Sequence, residues 1–156
     1  MKNNLITFLF GLFILINWNC ENDPFTFPET SIIEMSKTPC FGTCPVYSIK
    51  MDGKGNVTYD GKQFVKLEGK HEMNFPPEYV NEVFQAFADG NFWDYEDEYT
   101  DNISDLPTTN ISFTHDGKTK KIRDYYGAPK SLKELEKKVE NLLETLVWQD
   151  EPANHE

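Results

Sequence analysis

The sequence predicts an α+β domain: an antiparallel sheet of two hairpin units with two amphipathic helices, in the order β-β-β-α-β-β-α. Three observations lead to this prediction. Short runs with alternating apolar residues are separated by Asp-Gly and Gly-rich turns. Two longer segments repeat their apolar residues at helical spacing. The chain has 156 residues with 12 Phe, 7 Tyr and 3 Trp, which suits one domain with a substantial core.

The first hairpin unit is predicted before residue 74. Residues 31–36 (SIIEMS) are rich in β-branched side chains and predict the first strand. Residues 46–51 alternate and place Tyr47, Ile49 and Met51 on one face. The turn sequence DGKGN follows, and VTYDG returns in register to complete a hairpin. Residues 64–73, interrupted by a glycine, are predicted as the third strand.

The second hairpin unit follows an acidic, aromatic loop over residues 91–107. Residues 109–115 and 118–124 are predicted as its two strands. The dipeptide Asp116-Gly117 between them is typical of the primed turns that join two-residue hairpins. The sequence YGAPK then predicts a break before the last element.

Two segments are predicted as helices. The first opens with Pro76-Pro77 and ends at Asp89-Gly90. The second begins with a capping box in which Ser131 is the N-cap and Glu134 is N3. Its apolar stripe continues towards Trp148 and is too short to indicate a coiled coil. The apolar stripes are Val80, Val83, Phe84 and Phe87 in the first helix, and Leu132, Leu135, Val139, Leu142, Leu143 and Leu146 in the second.

The N-terminal residues predict export. Lys2 precedes twelve uncharged residues, 5–16, which are too few to span a membrane and match the apolar core of a secretory signal peptide. Cys20 follows where a bacterial lipoprotein signal places its lipid-modified cysteine. Asn17 and Asn19 replace the leucine and the small residue that are usual there. Cleavage by the ordinary signal peptidase, which would leave a soluble protein, is the alternative.

The predicted organisation is a signal peptide (1–19), a lipid-anchored tether (20–30), one domain (31–148) and a polar tail (149–156). The predicted location is the bacterial cell envelope, at the outer membrane or the periplasmic face, with the membrane as a partner through lipid on Cys20. Loss of residues 1–19 removes one lysine and changes the formal charge from -11 to -12. Because nucleic-acid affinity comes mainly from Lys and Arg, we expect no nucleic-acid partner.

Cys40 and Cys44 flank a Phe-Gly-Thr turn between two prolines. In an exported protein this pair predicts a disulfide, provided that the two Cα atoms come within about 7 Å. A redox centre is an alternative, although no basic residue lies between the cysteines to lower a thiol pKa. A zinc site would need two more ligands, for which His71 and His115 are the candidates. A periplasmic thiol-redox or metal-dependent enzyme centred on this pair therefore stays open as the alternative function.

The acidic loop offers a possible calcium site. Six carboxylates lie between Asp94 and Asp105, and Asp101 and Asp105 are the candidate ligands. The spacing is not that of an EF-hand, and a solvated acidic loop is the commoner structure. We predict no metal and no other cofactor.

The predicted role is binding or structural rather than catalytic. The sequence has no Gly-x-Ser-x-Gly motif and no phosphate-binding glycine loop, so no catalytic residue is assigned. Phe41 and Tyr47 lie in or beside the proline-flanked cysteine loop and are candidate rigid binding residues, together with Trp93. The acidic loop favours a basic partner. We expect an envelope protein or a glycan as the partner.

The cysteine segment also resembles a known family. TPCFGTCPVYSIKMDGKGNVTYDG is similar to the opening signature of domain of unknown function 6438, in its paired cysteines, Gly42, Pro45, Tyr47 and Gly-x-Val-x-Tyr hairpin. DLPTT and DYYGAP are later similarities, and the resemblance covers about residues 32–148. Such domains occur in envelope lipoproteins and exported proteins of Bacteroidota-like organisms. The resemblance implies a location and no activity, because none is established for the family.

Overall fold

The computed structural model describes residues 27–149. In this part of the chain the elements are β1 (Ile32–Lys37), β2 (Val46–Asp52), β3 (Asn56–Gln63), β4 (Gly69–Asn74), α1 (Pro77–Asp89), β5 (Glu98–Tyr99), β6 (Thr109–His115), β7 (Lys118–Asp124) and α2 (Lys130–Gln149). The seven strands form one sheet in the order β4-β3-β2-β1-β6-β7-β5. A single 3₁₀ turn, Phe92–Asp94, follows α1.

The α+β class is confirmed, but two details of the predicted architecture are wrong. The order is β-β-β-β-α-β-β-β-α in place of β-β-β-α-β-β-α, because four strands precede α1 and a short β5 precedes β6. The sheet is mixed, since β5 runs parallel to β7. The backbone amides of Arg123 and Tyr125 donate to the carbonyls of Asp97 and Tyr99, both at 2.9 Å, and this pairing turns part of the predicted loop into a strand.

The predicted turns have the expected chemistry. In the β2–β3 turn, Asp52 Oδ1 accepts hydrogen bonds from the backbone amides of Lys54, at 2.9 Å, and Asn56, at 3.1 Å. In the β6–β7 turn, Asp116 and Gly117 have φ angles of 50° and 72°. Two consecutive positive φ values define the primed turn that suits a twisted hairpin. Local sequence thus fixes the registers of both hairpins.

The helices follow their apolar stripes, and one predicted cap is wrong. Pro77 lies in the first turn of α1, whose four predicted apolar residues are buried. Helix α2 begins at Lys130, before the predicted N-cap, because the amide of Lys133 already donates to the carbonyl of Pro129 at 3.2 Å. Ser131 therefore lies inside the helix. Within residues 27–149 no helix is both long enough and apolar enough to cross a membrane.

One face of the sheet carries the core. The inward-facing residues of the central strands form a single buried cluster with the apolar stripe of α1 and with Leu132, Leu135, Val139 and Leu142 of α2. Phe113 on β6 lies at its aromatic centre and packs against the rings of Phe87, at 5.6 Å, and Trp93, at 5.4 Å. Phe27 is 1% exposed and packs against Phe84, so the core extends to the first described residue.

Helix α2 crosses the strands. Near its start Lys133 forms an ion pair with Asp124 on β7, and seven residues later Glu140 forms one with Lys37 on β1. Seven residues rise about 10 Å along a helix, which matches two steps of about 4.8 Å from β7 through β6 to β1. The helix thus connects the two halves of the sheet.

The two ends of the sheet differ. Tight turns and the entering chain at residue 27 lie at one end, because Ile32 pairs with both Asp52 and Thr114. The longer connections lie at the other end, because Lys37 pairs with both Tyr47 and Thr109. We call these four connections the loop end; they are residues 38–45, 64–68, 100–108 and 125–129.

Candidate ligand-binding groove

A groove of about 330 Å³ lies between the strand ends and the second half of α2. We call it the tyrosine groove, after Tyr47 on β2 and Tyr59 on β3, whose ring centroids are 5.8 Å apart. Its size lies at the lower end of the range for small-molecule sites. Its walls are Lys37, Pro45, Tyr47, Tyr59, Phe64, Val65, Lys66, Leu67, Met73, Glu140, Leu143 and Glu144.

A glycine allows one wall of the tyrosine groove to form. The loop 64–68 folds back over β3, and a Cβ atom on Gly61 would lie 2.0 Å from the carbonyl oxygen of Leu67 and 2.9 Å from Val65 Cγ2. No other residue fits there without moving the backbone of the loop. Phe64 begins the loop with a φ angle of 54°, a left-handed conformation that costs a non-glycine residue about 1 kcal/mol or more.

The tyrosines provide hydroxyl groups that stay protonated. Burial, followed by the negative charge of Glu140, raises the pKa of Tyr47 far above its ordinary value. Burial, followed by the charge of Asp60, raises the pKa of Tyr59. Both side chains therefore carry their proton at neutral pH and are suited to hydrogen bonding rather than to proton transfer.

An ion pair marks the polar side of the groove. Lys37 Nζ contacts Glu140 Oε1, and both side chains are about one-fifth exposed. Lys137 adds a second, longer contact to Glu140, at 3.4 Å. The partners are 103 residues apart in sequence, so the pair forms only after α2 packs on the sheet.

A buried acidic pair lies between α2 and the sheet, with Glu136 on the helix and Asp124 on β7. The side chain of Asp124 is fully buried and that of Glu136 is 6% exposed, and Lys133 reaches both, with 3.2 Å to Glu136 Oε2. Burial, opposed by Lys133 and reinforced by Asp124, raises the pKa of Glu136 to about 7. For Lys133, burial is outweighed by the bond to Asp124 and the charge of Glu136, so its pKa is raised.

The cysteine loop lies beside the groove at the loop end. Cys40 and Cys44 have their sulfur atoms at disulfide distance and their Cα atoms 5.8 Å apart, as the predicted bridge requires. Phe41, between them, is 91% exposed. Tyr47, in contrast, is buried in the floor of the groove, so a ligand can reach it only from there. Cys20 lies outside the described residues, and its lipidation stays a prediction.

The candidate metal ligands lie apart. His71 on edge strand β4 and His115 on β6 are separated by three strands, or roughly 19 Å. His115 contacts Ser31 Oγ through Nδ1 at 2.7 Å and stacks on Phe113. Asp101 and Asp105 are in the exposed loop 100–108. Among residues 27–149, no three His, Cys, Asp or Glu side chains are close enough to hold a metal ion.

The structure differs from the sequence-based expectation at three residues: Trp93 lies outside the groove, and the buried acids Asp124 and Glu136 were not predicted. Trp93 is half-buried against Phe113, away from the tyrosine groove. Asp124 and Glu136 were not candidates, although the sequence carries a signal for both. Asp124 is two residues from the apolar Ile122, at an inward position of β7, and Glu136 interrupts the apolar stripe of α2.

A larger depression, of about 720 Å³, covers the face of the sheet that the helices leave open. Hydroxyl and charged side chains line much of it, and some of the charges are paired, such as Glu34 with Lys50 at 3.3 Å. A small ligand would compete there with water and with existing ion pairs, so the tyrosine groove is the better candidate site.

Comparison with known proteins supports one family assignment. A search of curated proteins finds no match. One family model matches residues 31–143, which begin one residue before β1. The matched region includes Cys40, Cys44, most of α2 and every residue that lines the tyrosine groove except Glu144. This region is 113 of the 156 residues. The chain therefore belongs to the family described as Domain of unknown function (DUF6438).

Proposed function

We propose that the protein is an exported, lipid-anchored envelope protein that binds a small, largely apolar ligand in the tyrosine groove without turning it over. The single observation behind the binding role is the groove itself. It combines an apolar wall, including Leu67, Met73 and Leu143, with two tyrosine hydroxyls and one ion pair. Ligand sites commonly have this composition, in which apolar area supplies affinity and a few polar groups fix orientation.

The chemistry of the groove favours binding over catalysis. Both tyrosines hold their protons, so neither is prepared to accept a proton from a substrate. The charge of Lys37 is balanced by that of Glu140. The cysteine pair is at disulfide distance, a geometry without a free thiolate. Thiol trapping of the native protein without reductant tests this point. Modification of both cysteines would support the thiol-dependent alternative.

A fluorescent probe tests the groove. Anilinonaphthalene sulfonate has an apolar ring system that can pack against the apolar wall of the groove. We expect saturable binding by the folded protein and loss of at least tenfold in affinity in Leu143→Trp, which fills the groove. Tyr79→Trp, at an exposed position outside both the groove and the loop end, is the matched control. Equal binding by both variants, at unchanged melting temperatures, would contradict the assignment.

The anchor has its own test. The support for it is the apolar segment 5–16 followed by Cys20. An intact mass of the mature protein should show an N-terminal Cys20 carrying lipid, and Cys20→Ser should release the protein from the membrane fraction. A Cys20→Ser variant that is cleaved normally and stays in the membrane would contradict lipid anchoring.

A further inference from the structure

The exposed apolar side chains are concentrated at one end of the sheet. Among the described residues, six large hydrophobic side chains are exposed, and five of them lie at the loop end. They come from all four connections, which are separate in sequence. The five are Phe41, Phe64, Ile103, Leu106 and Tyr126, and the sixth, Tyr79, lies in α1.

Three of the four loops that carry these side chains are fixed to one another. The Thr38 amide donates to the Thr108 carbonyl at 3.0 Å, and the Thr108 amide donates to Thr38 Oγ1 at 2.9 Å. Tyr125 donates its hydroxyl proton to the Ile103 carbonyl at 2.7 Å, which joins loop 125–129 to loop 100–108. The cysteine pair closes the loop around Phe41. A surface that is already ordered loses little entropy when a partner binds.

The loop end also carries little charge. Loops 38–45 and 125–129 contain no charged residue, and the other two contain Lys66, Glu68, Asp101 and Asp105. The whole chain, in contrast, is 26% charged with a net charge of -11. Depletion of charge around exposed aromatic residues is the compositional signal of the centre of a protein interface.

The loop end and the point where the chain enters lie at opposite ends of the sheet. Strand β1 runs from the entering end to the loop end, and its six residues span roughly 20 Å. The seven residue steps from Cys20 to Phe27 reach at most about 25 Å. An anchor at Cys20, as proposed above, would hold the entering end towards the membrane and present the loop end to other envelope proteins.

We propose that the loop end is a docking surface for a protein whose contact area is apolar and weakly charged. This partner is distinct from the groove ligand; only the orientation rests on the proposed anchor. The side chains of Ile103 and Leu106 offer no hydrogen bonds to a hydroxyl-rich glycan. The loop end has one basic residue, Lys66, whereas surfaces that bind anionic lipids carry clusters of Lys and Arg. Two copies of the chain would repel each other through their net charge.

Site-specific photocrosslinking in the native host tests the proposal. Benzoylphenylalanine replaces Phe41 or Leu106 in the full chain, and Tyr79, which is 50% exposed, provides the matched control position. We expect Phe41 and Leu106 to yield the same protein adduct and Tyr79 to yield none. With that protein purified, Phe41→Ala should weaken binding to the full chain at least tenfold, while Tyr79→Ala should change it less than twofold.

Several results would overturn the docking surface. They are adducts with lipid, with glycan or with a second copy of the chain, equal adducts at all three positions, or no adduct at all. Unchanged affinity in both Phe41→Ala and Leu106→Ala would have the same effect. Phe41→Ala should keep the binding of anilinonaphthalene sulfonate in the tyrosine groove, so failure here and failure of the proposed ligand site are separate outcomes.

Discussion

Glu136 makes the stability of the domain depend on pH in a predictable direction. The folded state raises the pKa of this carboxyl from 4.5 to about 7, chiefly by burial. One pKa unit corresponds to about 1.4 kcal/mol, so the difference between folded and unfolded states is about 3 kcal/mol. The folded state binds this proton more tightly. The stabilisation of the folded state by proton binding at Glu136 is therefore fully present below pH 4.5 and is lost as the pH rises through about 7.

The substitution Glu136→Gln removes this titration and keeps the shape of the side chain. Between pH 4.5 and 8, we expect the free energy of unfolding of Glu136→Gln to rise by about 3 kcal/mol relative to that of the wild type. Urea denaturation at a series of pH values measures the difference. The slope of the unfolding free energy against urea concentration should be the same at each pH. Glu134→Gln, at an exposed position of the same helix, is the control and should show a nearly constant difference. A Glu136→Gln difference that is equally flat would refute the reasoning.

Three further predictions concern the loop end and the core. Cys40→Ser should lower the free energy of unfolding by about 2 kcal/mol, the chain-entropy value for so small a loop, and reduction of the wild type should reproduce this in chemical denaturation. Gly61→Ala should destabilise the domain by more than about 1 kcal/mol and weaken probe binding, because the added Cβ would lie 2.0 Å from the Leu67 carbonyl oxygen in the loop over β3. Gly42→Ala, whose Cβ would have its nearest contact at 3.8 Å, is the control, and equal melting temperatures for the two variants would contradict the predicted clash. Phe113→Ala should cost about 3 to 5 kcal/mol by the same denaturation measurement, because this ring is fully buried among other aromatic rings, and a loss below 1 kcal/mol would contradict its central position.

The features that the sequence predicts correctly are local ones. The turn around Asp52, the Asp116-Gly117 turn and the apolar stripe of α1 each depend on residues that are close in sequence. Strand β5 could not be predicted in this way. It has two residues, and backbone hydrogen bonds from residues more than 20 positions later make it a strand. Its parallel direction follows from the path of the chain and not from a residue pattern.

The candidate site was predictable only in part. The cysteine spacing indicated the bridged loop, and the alternation of β2 already placed Tyr47 on the inward face. The pairing of Lys37 with Glu140 leaves no trace in either local segment, because it depends on how α2 crosses the sheet. Glu136 was detectable as a carboxyl on an apolar stripe, but its partner on β7 becomes apparent only when helix and strand are packed together.

The central position of β1 determines how the domain carries mechanical load. All six residues of this strand pair with β2 on one side and with β6 on the other. The chain towards residue 27 leaves β1 at its N-terminal end through a turn that the Ser31 amide closes on the Pro28 carbonyl at 2.8 Å. Once this turn has opened, tension applied to the entering chain acts along the strand axis. The hydrogen bonds of both ladders are perpendicular to that axis, and they resist the pull together, in shear, rather than opening one after another. A force between the entering chain and the loop end is therefore borne by the strand that is hardest to peel from the sheet.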